Sequence, residues 1–215
     1  VVFVLLTAAQ GWLGGTAVYW LYLVKTLVGA WLIWTVRPLV AEMRWAFSWP
    51  ALLVGIGVFV IWVGVTGDFA NQATLWHRLG LAQAPATPAP EWNPPAVFGS
   101  AAPLAWFFIA VRLIGSTLVV PPIEEAFYRS FLYRYLSRVD FLAVPLRQFS
   151  PLPFVVTALV FGLMHHEWLA GIVCGAAYQW LVLRRGDLGE AMTAHAVTNL
   201  LLGIWVVTRG AWQFW

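Results

Sequence analysis

Charge is scarce in this sequence. Asp, Glu, Lys and Arg together make up 10% of 215 residues, where soluble domains carry about 25%. That shortage excludes an ordinary water-facing surface, and with 61% hydrophobic residues it points to a polytopic membrane protein. The net charge of +3 is too small for a nucleic-acid surface and suits loop arginines placed by membrane topology. There is one cysteine, Cys174, so an intramolecular disulfide is excluded. Its place in the apolar run Gly171-Ile172-Val173-Cys174-Gly175-Ala176 reads as packing. A second zinc-binding histidine is missing too. His166-Glu167-Trp168-Leu169-Ala170 opens like a zinc-protease helix but has Ala170 where the second histidine must stand. Internal repeats are absent, and the only biased tract is the Ala/Pro run at 84–90. The chain opens on Val1-Val2 rather than Met, so native residues are expected to precede it. Its first apolar run is too long and too poor in charge for a simple signal peptide.

What is present is a series of apolar runs. At about 20 residues per crossing, the length accommodates roughly six to eight membrane helices in one all-α bundle. A short or truncated helix precedes Gly14-Gly15, and a full span follows to about Thr35. Arg37, Glu42 and Arg44 form a charged loop flanked by the interface aromatics Trp45 and Trp49. A second span covers about 50–65. Residues 67–102 are an extramembrane segment, a lid or a plain connector, with a short amphipathic helix near 72–81 and an extended Pro-rich part. Residues 1–66 thus read as N-terminal membrane helices and 103–208 as a second membrane core. Within that core, Pro121-Pro122 is expected to start a new helix, since proline suits a first turn and damages an interior. Further spans are expected near 153–166, 168–183 and 188–207. The loops 37–44, 134–147 and 184–187 carry the arginines, so the positive-inside rule puts them on the cytoplasmic side. That orientation requires 103–138 to cross the membrane once, as a broken helix, and it turns the His165 end outward.

Ionisable residues inside apolar runs mark function, because a charge in a membrane core costs several kcal/mol. Glu124 and Glu125 are such residues. Glu125 and Arg129 are four apart and share a helix face, so the arginine holds Glu125 ionised and fixed. Glu124 points elsewhere and is free to serve as a general base. His165 follows Phe161 by one turn, so that ring can pack behind it. His195 and Asn199 are again four apart, and two such donors suit an oxyanion. One mechanism follows: Glu124 and His165 activate a water, which attacks a carbonyl polarised by His195 and Asn199. A metal site built from Glu124, His165 and His195 also remains chemically open. His166, Glu167 and Tyr128 read as packing residues.

The motifs Glu124-Glu125-x-x-x-Arg129, Phe161-x-x-x-His165 and His195-x-x-x-Asn199 resemble, in order and spacing, those of the CPBP family. These are CAAX-processing and bacteriocin-processing intramembrane endopeptidases, including the type II CAAX prenyl endopeptidases; the resemblance covers roughly 103–208. It also extends to the CAAX-protease-related proteins of exosortase-type sorting systems. The resemblance implies a glutamate-dependent intramembrane protease with no metal and no cofactor. Glu124, His165, His195 and Asn199 would be catalytic, and Glu125 and Arg129 would order the site. The expected partners are the membrane lipid bilayer and a membrane-associated protein or peptide cut near its C-terminus, with no nucleic acid, in a bacterial inner membrane. Two other readings stand beside it: a non-catalytic immunity or scaffold protein of the same family, and a zinc-dependent membrane hydrolase.

Overall fold

The computed structural model describes residues 15–67, 70–83 and 92–215. The helix expected before Gly14 and the Ala/Pro run at 84–90 lie outside the described residues. The helices are α1 Ala17–Val36, α2 Trp49–Gly64, α3 Gln72–Arg78, α4 Pro94–Phe98, α5 Pro103–Ser137, α6 Pro151–Leu163, α7 Trp168–Arg185 and α8 Gly189–Arg209. Among the described residues the only β-type pairing is an isolated bridge between Asn71 and Glu167. The protein is an all-α membrane helix bundle. Among the described residues three helices, α1, α5 and α8, are long and apolar enough to cross a membrane, while α2 and α6 are apolar but shorter.

Local chemistry sets the boundaries. The Ser48 hydroxyl accepts the Ala51 N–H, Asn71 that of Ala73 and Asn93 that of Ala96, so a polar side chain caps each of α2, α3 and α4. Gly186 and Gly210 end α7 and α8 at φ +83° and +64°, a left-handed conformation that favours glycine. The short α4 lies in a stretch expected to be extended. Its Asn93 cap and its first-turn prolines Pro94 and Pro95 account for the turn of helix.

The largest departure from expectation is α5. It does not restart at Pro121-Pro122 but runs unbroken for 35 residues. Two wide turns, Gly115–Val119 and Ala126–Leu132, have i→i+5 bonding: Val120 N–H donates to the Gly115 carbonyl and Tyr133 N–H to that of Tyr128. Consecutive prolines remove two ladder donors and crowd the carbonyls four residues back. Opening the preceding turn relieves that crowding without ending the helix, as inserted π turns do.

The arginine-bearing loops gather at one end of the bundle. Arg134 pairs with Glu42 at 3.0 Å, Leu188 N–H donates to the Glu42 carbonyl, and Arg147 donates to the Arg185 carbonyl. At the other end, the Gln72 N–H donates to the His166 carbonyl at 2.7 Å, and Tyr19 packs on Trp92. On α1, Trp20, Val24, Leu27, Trp31 and Trp34 are exposed while Tyr19, Tyr22, Lys25 and Gly29 are buried. An apolar stripe facing outward is what lipid contact requires.

The core binds α2, α6, α7 and α8 around Trp62, Phe161, Cys174, Tyr178 and Met192. Small residues allow close helix approach. A Cβ added at Gly55 would stand 2.6 Å from the Ala194 carbonyl oxygen and 2.8 Å from Val197 Cβ, whereas one at Gly57 would meet nothing within 4 Å. Gly55→Ala should therefore destabilise the bundle by about 1–3 kcal/mol through overpacking. Gly57→Ala, on the same helix, should be neutral or slightly stabilising. Thermal unfolding of the two variants in one detergent checks this, and equal midpoints would refute the close α2–α8 contact.

Candidate active site

A cavity of about 550 Å³ opens inside the bundle, and its wall includes Glu124, His165, His195 and Asn199. Three elements deliver them: α5 carries Glu124, the turn after α6 carries His165, and α8 carries His195 and Asn199. The volume is in the range of small-ligand sites.

Glu125 and Arg129 stand behind the cavity wall, both with fully buried side chains and 3.0 Å apart from Oε2 to Nε. The contact joins two charges without being an aligned hydrogen bond, and Arg129 Nη1 has no acceptor. Arg129 also donates through Nη2 to the Gly175 carbonyl at 3.3 Å and lies 4.5 Å from the centroid of the Phe161 ring. The second oxygen of Glu125, Oε1, is 2.9 Å from His195 Nδ1. Glu125 thus joins a cation from its own helix to an imidazole from α8.

Each histidine has one nitrogen fixed. His165 Nδ1 lies 2.7 Å from the Phe161 carbonyl oxygen, which can only accept. Nδ1 therefore carries the proton, and Nε2 of the neutral ring is left as an acceptor. The Phe161 ring packs against His165 at 4.6 Å and Trp62 meets it edge-on at 5.4 Å, so the imidazole is clamped. His165 itself stands just beyond the end of α6 rather than on it. His195 Nδ1 donates to Glu125 by the same logic. The Tyr178 ring stacks on His195 at 5.1 Å, and its hydroxyl donates to Thr198 Oγ1 at 2.8 Å.

Glu124 differs from its neighbour. Its Oε2 is buried without a hydrogen-bond partner in the protein, and it faces the cavity. Asn199 has a second task that spacing alone did not reveal. In an i→i+5 turn the Ser116 carbonyl would pair with the N–H of residue 121, and Pro121 has none. Asn199 Nδ2 fills that gap at 2.8 Å, which leaves one amide N–H available. Among the described residues no group of three His, Cys, Asp or Glu side chains is disposed to hold a metal ion.

The site residues expected from the sequence thus converge. Those it missed are Tyr178, which supports His195 through a non-local stack, and Lys25 and Arg112, which line the far part of the cavity. For the last two a signal existed, since each interrupts an otherwise apolar run.

Residues 104–201 match the family described as type II CAAX prenyl endopeptidase Rce1-like. That stretch resembles an Rce1-like domain. No curated protein and no solved structure matches the chain. The Rce1-like stretch contains Glu124, Glu125, Arg129, His165, His195 and Asn199 together, and the family it defines is one of membrane proteases.

Arg129→Ala would leave Glu125 buried with no cation on its own helix, a cost of about 3–5 kcal/mol. The double replacement Glu125→Leu with Arg129→Met removes both charges and should recover much of that loss, while leaving His195 without its acceptor. Thermal midpoints in detergent separate the cases; an unchanged midpoint for Arg129→Ala would show that the pair contributes no net stability.

Proposed function

We propose that the protein is a glutamate-type intramembrane endopeptidase that hydrolyses a peptide bond near the C-terminus of a membrane-associated protein or peptide. The observation that carries this reading is a buried glutamate oxygen without a partner, Glu124 Oε2, in a cavity shared with two oriented imidazoles and an amide. The family match supports a CAAX-type protease kind of function.

In this mechanism a water lies between Glu124 and His165 Nε2. Glu124 takes one of its protons as general base, and the hydroxide adds to the scissile carbonyl. The resulting oxyanion is met by the free N–H of Asn199 and by His195. His195 can donate there only through Nε2–H, because Nδ1–H is directed at Glu125. In that step the ring donates through Nε2–H while its Nδ1–H stays on the Glu125 carboxylate. Collapse of the intermediate breaks the C–N bond, and the proton held by Glu124 passes to the leaving amine. Glu125 and Arg129 act through His195 as positioning residues. Residues 103–208 form the catalytic core and 67–102 an extramembrane Pro-rich segment. The protein crosses a bacterial inner membrane several times, with the arginine end in the cytoplasm.

Glu124→Gln, His165→Ala and His195→Ala should each abolish cleavage while leaving a folded bundle. Mass spectrometry of membrane-protein C-termini from cells carrying wild type or Glu124→Gln identifies the substrate, and the purified variants are then assayed on it. Near-normal turnover by any one of them removes that residue from the mechanism. Identical C-termini in both cell types would overturn the protease reading.

Cysteines placed at Gln148 and Leu81 should label from opposite sides of the membrane, with Gln148 reached from the cytoplasm. Both positions are exposed, whereas the native Cys174 is 2% exposed and should stay silent. Labelling of both from one side would refute the topology.

A further inference from the structure

The cavity extends beyond the catalytic set to a cationic end. Arg112 and Lys25 line it there, with Tyr22, Trp92 and Trp215. The Arg112 guanidinium lies 5.0 Å from the Tyr22 ring, 4.6 Å from Trp92 and 5.5 Å from Trp215, measured to the centroids. Lys25, 8% exposed, has Nζ 4.8 Å from the Tyr22 centroid. Three aromatic faces attract the guanidinium but accept none of its five N–H groups in the plane. Among the described residues no carboxylate lies in ion-pair range of Arg112, although Glu124 and Glu167 line the same cavity. A second donor is idle in this wall: Trp92 is 6% exposed and its indole N–H has no acceptor. Buried donors are ordinarily paired, and a guanidinium with an indole N–H beside it suits a planar anion.

We propose that the Arg112–Lys25 end of the cavity is the subsite for the C-terminal carboxylate of the substrate. This rests on the protease reading in one respect, that a peptide occupies the cavity. A carboxylate fits the position because the cations share one enclosure with Glu124. Glu124 follows Arg112 by 12 residues on α5, an axial separation of about 18 Å. An extended peptide advances at most about 3.3–3.6 Å per residue. For a peptide bound in the extended form, the cation and the catalytic glutamate therefore act as a ruler, and cleavage releases a C-terminal fragment of about five residues or fewer. The length of the arginine and lysine side chains shortens the span further.

The test separates binding from turnover. The Glu124→Gln protein in zwitterionic detergent is titrated with an N-terminally dansylated apolar hexapeptide, once as the free acid and once as the C-terminal amide, by fluorescence anisotropy. The acid should bind at least tenfold tighter. Adding Arg112→Gln should bring the ratio close to one, with affinity for the amide unchanged, and Arg112→Lys should restore part of the preference. Equal affinities in the parent, no binding of either peptide, or a ratio that Arg112→Gln does not move would each overturn the subsite. Replacing phosphatidylcholine by phosphatidylglycerol in nanodiscs should leave the preference intact; its loss would reassign the cations to a lipid phosphate. Wild type is then given the same peptides and a dansylated apolar dodecapeptide acid. No hydrolysis of any of them with the binding preference intact would sink the protease reading and leave the subsite standing, whereas fragments well beyond about five residues released from the dodecapeptide would refute the ruler.

Discussion

The buried carboxylate of Glu125 is the constraint on which the rest of the site depends. It is fully enclosed, so it requires compensation, and it receives it from Arg129 on one side and His195 on the other. The second of these contacts ties α5 to α8. Arg129 in turn reaches the Gly175 carbonyl and the Phe161 ring, which brings in α7 and α6. One charge in a low-dielectric interior thereby fixes the relative placement of four helices, because displacing any of them would expose an unpaired ion. The same contact fixes which nitrogen of His195 faces the cavity.

Adjacent glutamates in this protein have opposite tasks, and the division follows from helix geometry. Glu125 points into the bundle and is held between Arg129 and His195; Glu124, one residue earlier, looks into the cavity with a buried oxygen that no protein group meets. A carboxylate already held by two cationic or donor groups is a poor base, whereas one exposed to a single water has its lone pair available. In the proposed mechanism the pair thus supplies structure and reactivity from consecutive positions.

Much of this was legible in the residues. The apolar runs gave the helices because burial in lipid leaves few alternatives for a backbone. The ion pair was legible because i, i+4 spacing is local. The three arginine loops meet at one end of the bundle, as their charge implied. The course of α5 was not legible, since a proline pair marks a helix start by local rules, and only the wide turn that accommodates it keeps the helix intact. Nor was the support of His195 by Tyr178 and the bond from Asn199 to Ser116, which join residues 17 and 83 positions apart in the chain. Arg112 and Lys25 were visible as interruptions, but their convergence depends on how α1 packs on α5.

Pro121 touches none of the reacting groups, yet it decides the direction of one of them. By withholding an N–H it leaves the Ser116 carbonyl to Asn199, and a planar amide fixed through one hydrogen has little choice about where its other hydrogen points. The aim of the Asn199 amide is thus set by a missing donor in a neighbouring helix. Any residue other than proline at position 121 would restore the backbone N–H and compete for the same carbonyl, so the ring orients Asn199 through what it cannot bond.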